Sequence, residues 1–147
     1  MVVKPIPDGY HTVTPYLVVQ GASKLIDFMK AAFGATVRTR MGDDQRIMHA
    51  EVQIGDSVIM VADAGPGNEA LGSMIHLYVD DADAFYKRAI AAGGSSMREP
   101  ADQFYGDRSA GLKDAFGNQW WLATHIEDVS PEELAKRSAA MAGPASG

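Results

Sequence analysis

The chain has no cysteine, which excludes disulfides, thiolate catalysis and cysteine-based zinc sites. It has no apolar run of membrane-spanning length, and Met1-Val-Val-Lys-Pro-Ile-Pro7 lacks the apolar core of a signal peptide. A cytoplasmic location without a membrane partner is therefore expected. Positive charge is scarce: 13 Lys and Arg stand against 19 Asp and Glu, for a net charge of −6, and no basic run occurs. This argues against nucleic acid and anionic lipid as partners and mildly favours neutral or cationic small molecules. The apolar fraction, 46% of 147 residues, is ordinary. It suffices for one domain, or for two half-size modules sharing a core.

The most informative stretch is Asp114-Ala-Phe-Gly-Asn-Gln-Trp-Trp-Leu-Ala-Thr-His125. Asp114 to Asn118 is turn chemistry, with Gly117 free to take positive φ. The apolar run after it reads as a strand. Strand parity puts Trp120, Leu122 and Thr124 on one face, and Gln119, Trp121, Ala123 and His125 on the other. Gly55-Asp-Ser-Val-Ile-Met-Val-Ala62 echoes this turn and strand, with Ala62 and Ala123 sixty-one residues apart.

Other matches share an offset of sixty: Leu17-Val-Val19 with Leu77-Tyr-Val79, Ala22 with Ala82, Ala31-Ala32 with Ala91-Ala92, and Gly34 with Gly94. The chain reads as two β-α-β-β-β modules, residues 10–64 and 73–128, joined by the Gly-rich connector around Ala64 to Gly72. In the first, the expected elements are a strand over His11–Val19, a helix over Ser23–Phe33 and strands over Ala35–Arg40, Arg46–Ile54 and Ser57–Asp63. Pro15 weakens the first of these strands, whose core face carries Val13, Leu17 and Val19. In the second, Asp80 or Asp81 caps a helix running to about Ala92. A short strand over Ser95–Arg98, a loop over Glu99–Asp107 and a strand over Arg108–Lys113 follow. Ser130-Pro-Glu-Glu133 starts a C-terminal helix running to about Met141, by the capping pattern of Ser, Pro and Glu. The tail, 142–147, is expected to be disordered. The fold class is α+β, with curved mixed sheets forming a cup and helices outside.

Two such modules in tandem resemble the vicinal-oxygen-chelate superfamily of glyoxalase I, bleomycin- and fosfomycin-resistance proteins and extradiol dioxygenases. Tyr10-His-Thr-Val-Thr-Pro-Tyr-Leu17, Met48-His-Ala-Glu51, Gly55-Asp-Ser57, Asp102-Gln-Phe-Tyr-Gly-Asp-Arg108 and Thr124-His-Ile-Glu-Asp128 resemble its PhnB-like branch. The resemblance implies a homodimer in which cups from two chains complete the sites. It also implies metal-ligand positions that fall here on Thr14, Met60, Met74 and Trp121. None of these is an imidazole or carboxylate donor of the kind divalent metals prefer. No cofactor is therefore expected.

Parity also defines a cup lining. With Met48, Ala50, Val52 and Ile54 under the helix, His49, Glu51 and Gln53 face the concave side. Met74, His76 and Tyr78 face it too, while Ile75, Leu77 and Val79 pack on the second helix. The candidate ligand-binding residues are Thr14, Tyr16, His49, Glu51, Met60, Met74, His76, Tyr105, Arg108 and Trp121, with His125 at the strand end. Phe104 or Tyr105 could close as a lid, and Arg108 could bind an anion or else form an ion pair. Three functions follow. One is a metal-independent binder of a flat or cationic apolar ligand, of the bleomycin-resistance type. Another is a lyase, isomerase or dioxygenase with a relocated metal at His49, Glu51 and His76, and the third a structural dimer with a vestigial cavity.

Overall fold

A computed structural model describes residues 2–142. The first module runs β1 (Tyr16–Val19), α1 (Ala22–Phe33), β2 (Thr36–Gly42), β3 (Ile47–Ile54) and β4 (Ser57–Asp63). The second runs β5 (Met74–Tyr78), α2 (Ala82–Ala91), β6 (Ser95–Asp102), β7 (Asp107–Lys113) and β8 (Gln119–His125), and α3 (Pro131–Ala142) follows. Each module folds into one four-stranded mixed sheet, in the orders β1-β4-β3-β2 and β5-β8-β7-β6. The first strand of each pairs parallel with the last, and the other neighbours are antiparallel. The repeat governs register as well as element order: Leu17 pairs with Val61, and Leu77 pairs with Leu122.

The helix of each module receives a hydrogen-bond acceptor at its start from the last strand of that module. Gly21, at the N-terminus of α1, has φ of 95° and no side chain to cap with. Asp63, at the end of β4, supplies the acceptor instead. One carboxylate oxygen takes the N–H of Gly21 (3.1 Å) and Ala22 (2.8 Å), and the other takes that of Ile47 (2.7 Å). In the second module the hydroxyl of Thr124, sixty-one residues on, accepts from the N–H of Ala82 at 2.8 Å. Asp81 there makes its own cap by accepting from Ala84 N–H at 3.1 Å. Gly34, with φ of 68°, ends α1 in the left-handed conformation that its lack of Cβ permits.

The two modules share one core. Leu17, Val19, Leu25, Ile26, Met29, Val52 and Val61 are buried with Leu112, Trp120 and Leu122. Phe33 of α1 meets Trp120 of β8 with ring centroids 4.9 Å apart, and α1 packs on α2. Trp120 is fully buried, and its indole N–H donates to Asp114 at 2.8 Å. Asp114 also accepts from the N–H groups of Phe116 (2.7 Å) and Asn118 (3.0 Å), so one carboxylate folds the turn and anchors the core tryptophan.

Several expectations are corrected. β1 begins at Tyr16, after Pro15, and Val13 is exposed and outside the core. Met48 is also exposed, because pairing slips between Met41–His49 and Gly42–Ile47. This bulge leaves Met48 without a partner and turns Ile47 into the core. β6 continues through Pro100 to Asp102, with irregular pairing between Arg98 and Ala101, so the loop shrinks to 103–106. In α3, Ser130 Oγ accepts from Glu133 N–H at 3.2 Å as expected, but none of its residues is buried. Of the expected tail, Ala142 ends α3 and the remainder lies outside the described residues.

Candidate functional site

The lining residues separate onto two concave faces, one per sheet. On the first sheet, the face turned from α1 carries Tyr16, His49, Glu51 and Met60, with Thr14 just before β1. Tyr16 Oη and His49 Nδ1 are 3.0 Å apart. Glu51 and Met60 are cross-strand partners. The N-terminal arm crosses this face. The Tyr10 hydroxyl donates to Glu51, and Arg38 donates to the Asp8 carbonyl at 2.9 Å while its guanidinium lies 5.3 Å from the centre of the Tyr10 ring. Arm and sheet border an open cavity of about 690 Å³ lined by Pro5, Tyr10, Thr14, Arg38, Glu51 and Met60 among others. The role of this arm as a wall is not legible in the sequence. Its Pro-rich composition gives no periodic signal to read.

The second face carries Met74, His76 and Tyr78 from β5, and Gln119, Trp121 and Ala123 from β8. Met74 and Tyr78 are each 66% exposed, whereas Ile75 and Leu77 turn toward the core. Trp121 lies against Gly111, its cross-strand partner, where an added Cβ would come 2.5 Å from the ring. Only glycine leaves the indole that berth. Arg98 covers it from β6 with its guanidinium 4.9 Å from a ring centre, and donates to the Ser109 hydroxyl. Arg98 Nε is buried without a hydrogen-bond partner. Arg38 and Arg98 were both overlooked in the sequence. Their separation of sixty residues was the available signal.

At the end of the second face, buried Asp107 accepts from the Tyr78 hydroxyl at 2.8 Å and lies 2.9 Å from His125 Nδ1. His125 Nε2 is 2.7 Å from Asp128. The hydrogen bond to Asp107, reinforced by that to Asp128, raises the His125 pKa above the ordinary 6.5. The same Asp107 carboxylate raises the Tyr78 phenol above its usual value, chiefly by accepting its proton in a hydrogen bond.

Arg108 does not line this face. Strand parity turns it toward α2, where it grips Asp83 through two hydrogen bonds of 2.8 and 3.0 Å and Asp102 through one of 3.0 Å. These bonds, with Asp83 the stronger influence, hold the guanidinium protonated and lower the Asp83 pKa. The anion-binding role for Arg108 therefore gives way to the ion pair. Tyr105 packs edge-on against Phe104 at 5.3 Å in the short loop, whose Phe104 carbonyl accepts from Arg137 of α3 at 3.0 Å. His49, Glu51 and His76 are not brought together, because His76 stands on the other sheet. Among the described residues, no three His, Asp or Glu side chains gather as a metal site would require. The relocated-metal reading thus lacks its ligand set in this chain.

This architecture is shared with known proteins. The family model for the glyoxalase/bleomycin resistance protein/dioxygenase superfamily matches residues 10–122. Uncharacterized protein Rv0887c of Mycobacterium tuberculosis is 34% identical over 134 residues, covering 83% of this chain and 79% of its own length. Mb0911c of Mycobacterium bovis is equally similar, with 88% of its length covered. Among solved structures, TioX from Micromonospora sp. ML1 superposes with a TM-score of 0.68 at 20% identity, over 79% of this chain and 99% of TioX. A glyoxalase/bleomycin resistance protein/dioxygenase from Nocardioides gives 0.62 at 22% identity, over 89% and 90%. The chain belongs to the glyoxalase/bleomycin resistance protein/dioxygenase superfamily. Among its described residues, no helix is long and apolar enough to cross a membrane.

Proposed function

We propose that the chain is a small-molecule-binding protein of the bleomycin-resistance type, on the PhnB-like branch that its motifs resemble, acting without a metal and as a homodimer. The observation that carries this reading is the second face. Trp121 lies against Gly111 and pairs with His76 of β5, a residue that Met74 and Tyr78, 66% exposed each, flank on the same face. Large apolar side chains held in the open on a rigid sheet provide stacking and dispersion for a flat ligand. Arg98 already lies over Trp121, so this face favours an aromatic or anionic ligand over a cationic one. The exposed apolar area also favours a second copy closing over it.

With Trp120 replaced by Phe, fluorescence reports on Trp121 alone. It should be quenched by acrylamide and should change saturably with members of a panel of planar aromatic acids. A Trp121→Phe protein, reporting on Trp120, should respond to neither. Trp121 silent to the whole panel would overturn the binder reading. For the dimer, sedimentation should give a species of twice the 15.7 kDa chain mass, and a clean single-chain species would remove that part.

A further inference from the structure

The cavity under the N-terminal arm holds a carboxylate that the arm contacts through Tyr10. Glu51 presents a half-buried carboxylate to an open cavity of about 690 Å³, a volume typical of small-molecule sites. Its hydrogen bond comes from a neutral group, the Tyr10 hydroxyl. No basic side chain pairs with it among the described residues. Arg38, the basic residue on the wall, is turned to the Asp8 carbonyl and the Tyr10 ring. Asp8 in turn pairs with Lys4 at 2.7 Å, and His11 completes the titratable groups there. A carboxylate among Met60, a tyrosine ring and prolines, with no ion-pair partner among the described residues, is the complement of an organic cation.

We infer that this cavity binds an organic amine or guanidine whose charge pairs with Glu51, and that Tyr10 is the latch of an arm that the ligand opens. The inference rests on the small-molecule reading above but concerns the other face of the chain. Tyr10 and the cation compete for one carboxylate, so ligand entry releases the hydroxyl. With the Tyr10 hydroxyl released, the remaining side-chain hydrogen bond between residues 2–10 and the sheet, among the described residues, is that of Arg38 to the Asp8 carbonyl.

Calorimetry on the full chain with 2-phenylethylamine and 2-phenylethanol, an amine and a neutral alcohol of like size, tests this. The amine should bind about tenfold tighter than the alcohol, as a charge-assisted pair requires. Glu51→Gln should abolish the preference, and Tyr10→Phe should tighten amine binding several-fold. Glu132→Gln, which removes the same charge from exposed α3, should change nothing. The alcohol binding as well as the amine, Glu51→Gln retaining the preference, or the amine failing to bind the wild type would each overturn the inference. Tyr10→Phe weakening the amine would overturn the latch, and this arm stands even if Glu51→Gln fails to fold. A cation site lost in this way, with Trp121 fluorescence still responding to aromatic acids, would leave the broader binder reading intact.

Discussion

Arg38 and Arg98 stand sixty residues apart, each beside an irregularity in the pairing of its module's second strand, and each lays its guanidinium over an aromatic ring. The rings come from different places. Tyr10 reaches its arginine from an arm outside the repeat, whereas Trp121 belongs to the sheet. The next strand explains why. Where the first module pairs Glu51 with Met60, the second pairs Gly111 with Trp121. A glycine leaves room for an indole to lie flat. A glutamate at the corresponding place fills that room and adds a negative charge. One frame thus yields a face covered by the arm, whose carboxylate accepts from Tyr10, and an open face with a guanidinium over an indole. A duplicated fold can diverge in ligand preference through a few inward positions while its buried positions stay alike.

The sharpest way to test that division is to cut on both sides of one strand. Trp120→Ala should cost about 3–5 kcal/mol, as large core truncations do, because Trp120 is fully buried, touches Phe33 across the module boundary and donates to Asp114. Trp121→Ala should cost about 1–2 kcal/mol, losing stacking with Arg98 and some packing. Denaturant midpoints would measure both. Equal losses would mean that the open face is structural and was never kept for ligand.

The division of faces is legible in the sequence because parity is a local property: Trp120 against Trp121, and Ile75 against Met74 and His76, sort themselves wherever a strand is regular. The sixty-residue echoes at Leu17, Ala22 and Gly34 carried the topology. Legibility stopped where the backbone breaks period. Met48 was assigned to the core because nothing in Arg46-Ile-Met-His49 announces a bulge. Pro15 was recognised as awkward, but the strand was still extended back through Val13. Arg108 showed its charge but not its side, although its parity with buried Ala110 and Leu112 in β7 was the available signal. Most of the first cavity was invisible because its cover is an arm without periodicity, fixed by long-range contacts from Tyr10 and Arg38.

A smaller effect separates the two helix starts. Asp63 satisfies three backbone N–H groups and Thr124 satisfies one. Asp63→Ala should therefore cost about 3 kcal/mol and Thr124→Ala about 1 kcal/mol, given the usual worth of charged and neutral hydrogen bonds at helix starts. Hydrogen exchange should show the Asp63 change loosening the start of α1 and of β3 together, because Ile47 shares the carboxylate. Loosening confined to α1 would mean that the bulged strand is held by packing alone.

The smallest effect is a pH dependence that belongs to the second module. His125 sits between Asp107 and Asp128, while the matching place in the first module, sixty-one residues earlier, is Ala64. The hydrogen bond to buried Asp107 is the main cause of the raised pKa, and Asp128 adds to it. A group whose folded pKa is raised stabilises the fold in its protonated form. That contribution is complete below the ordinary histidine value of 6.5 and disappears as pH climbs through the elevated one. The half-exposed ring keeps it modest, since solvent screens the pairing. Wild-type Tm should therefore decline slightly from neutral toward alkaline pH. His125→Gln, which can still hydrogen-bond Asp107 but carries no charge, should flatten that decline and lose stability mainly on the acidic side. The same slope in both proteins would show that the imidazolium contributes nothing, and that Asp107 is held by Tyr78 alone.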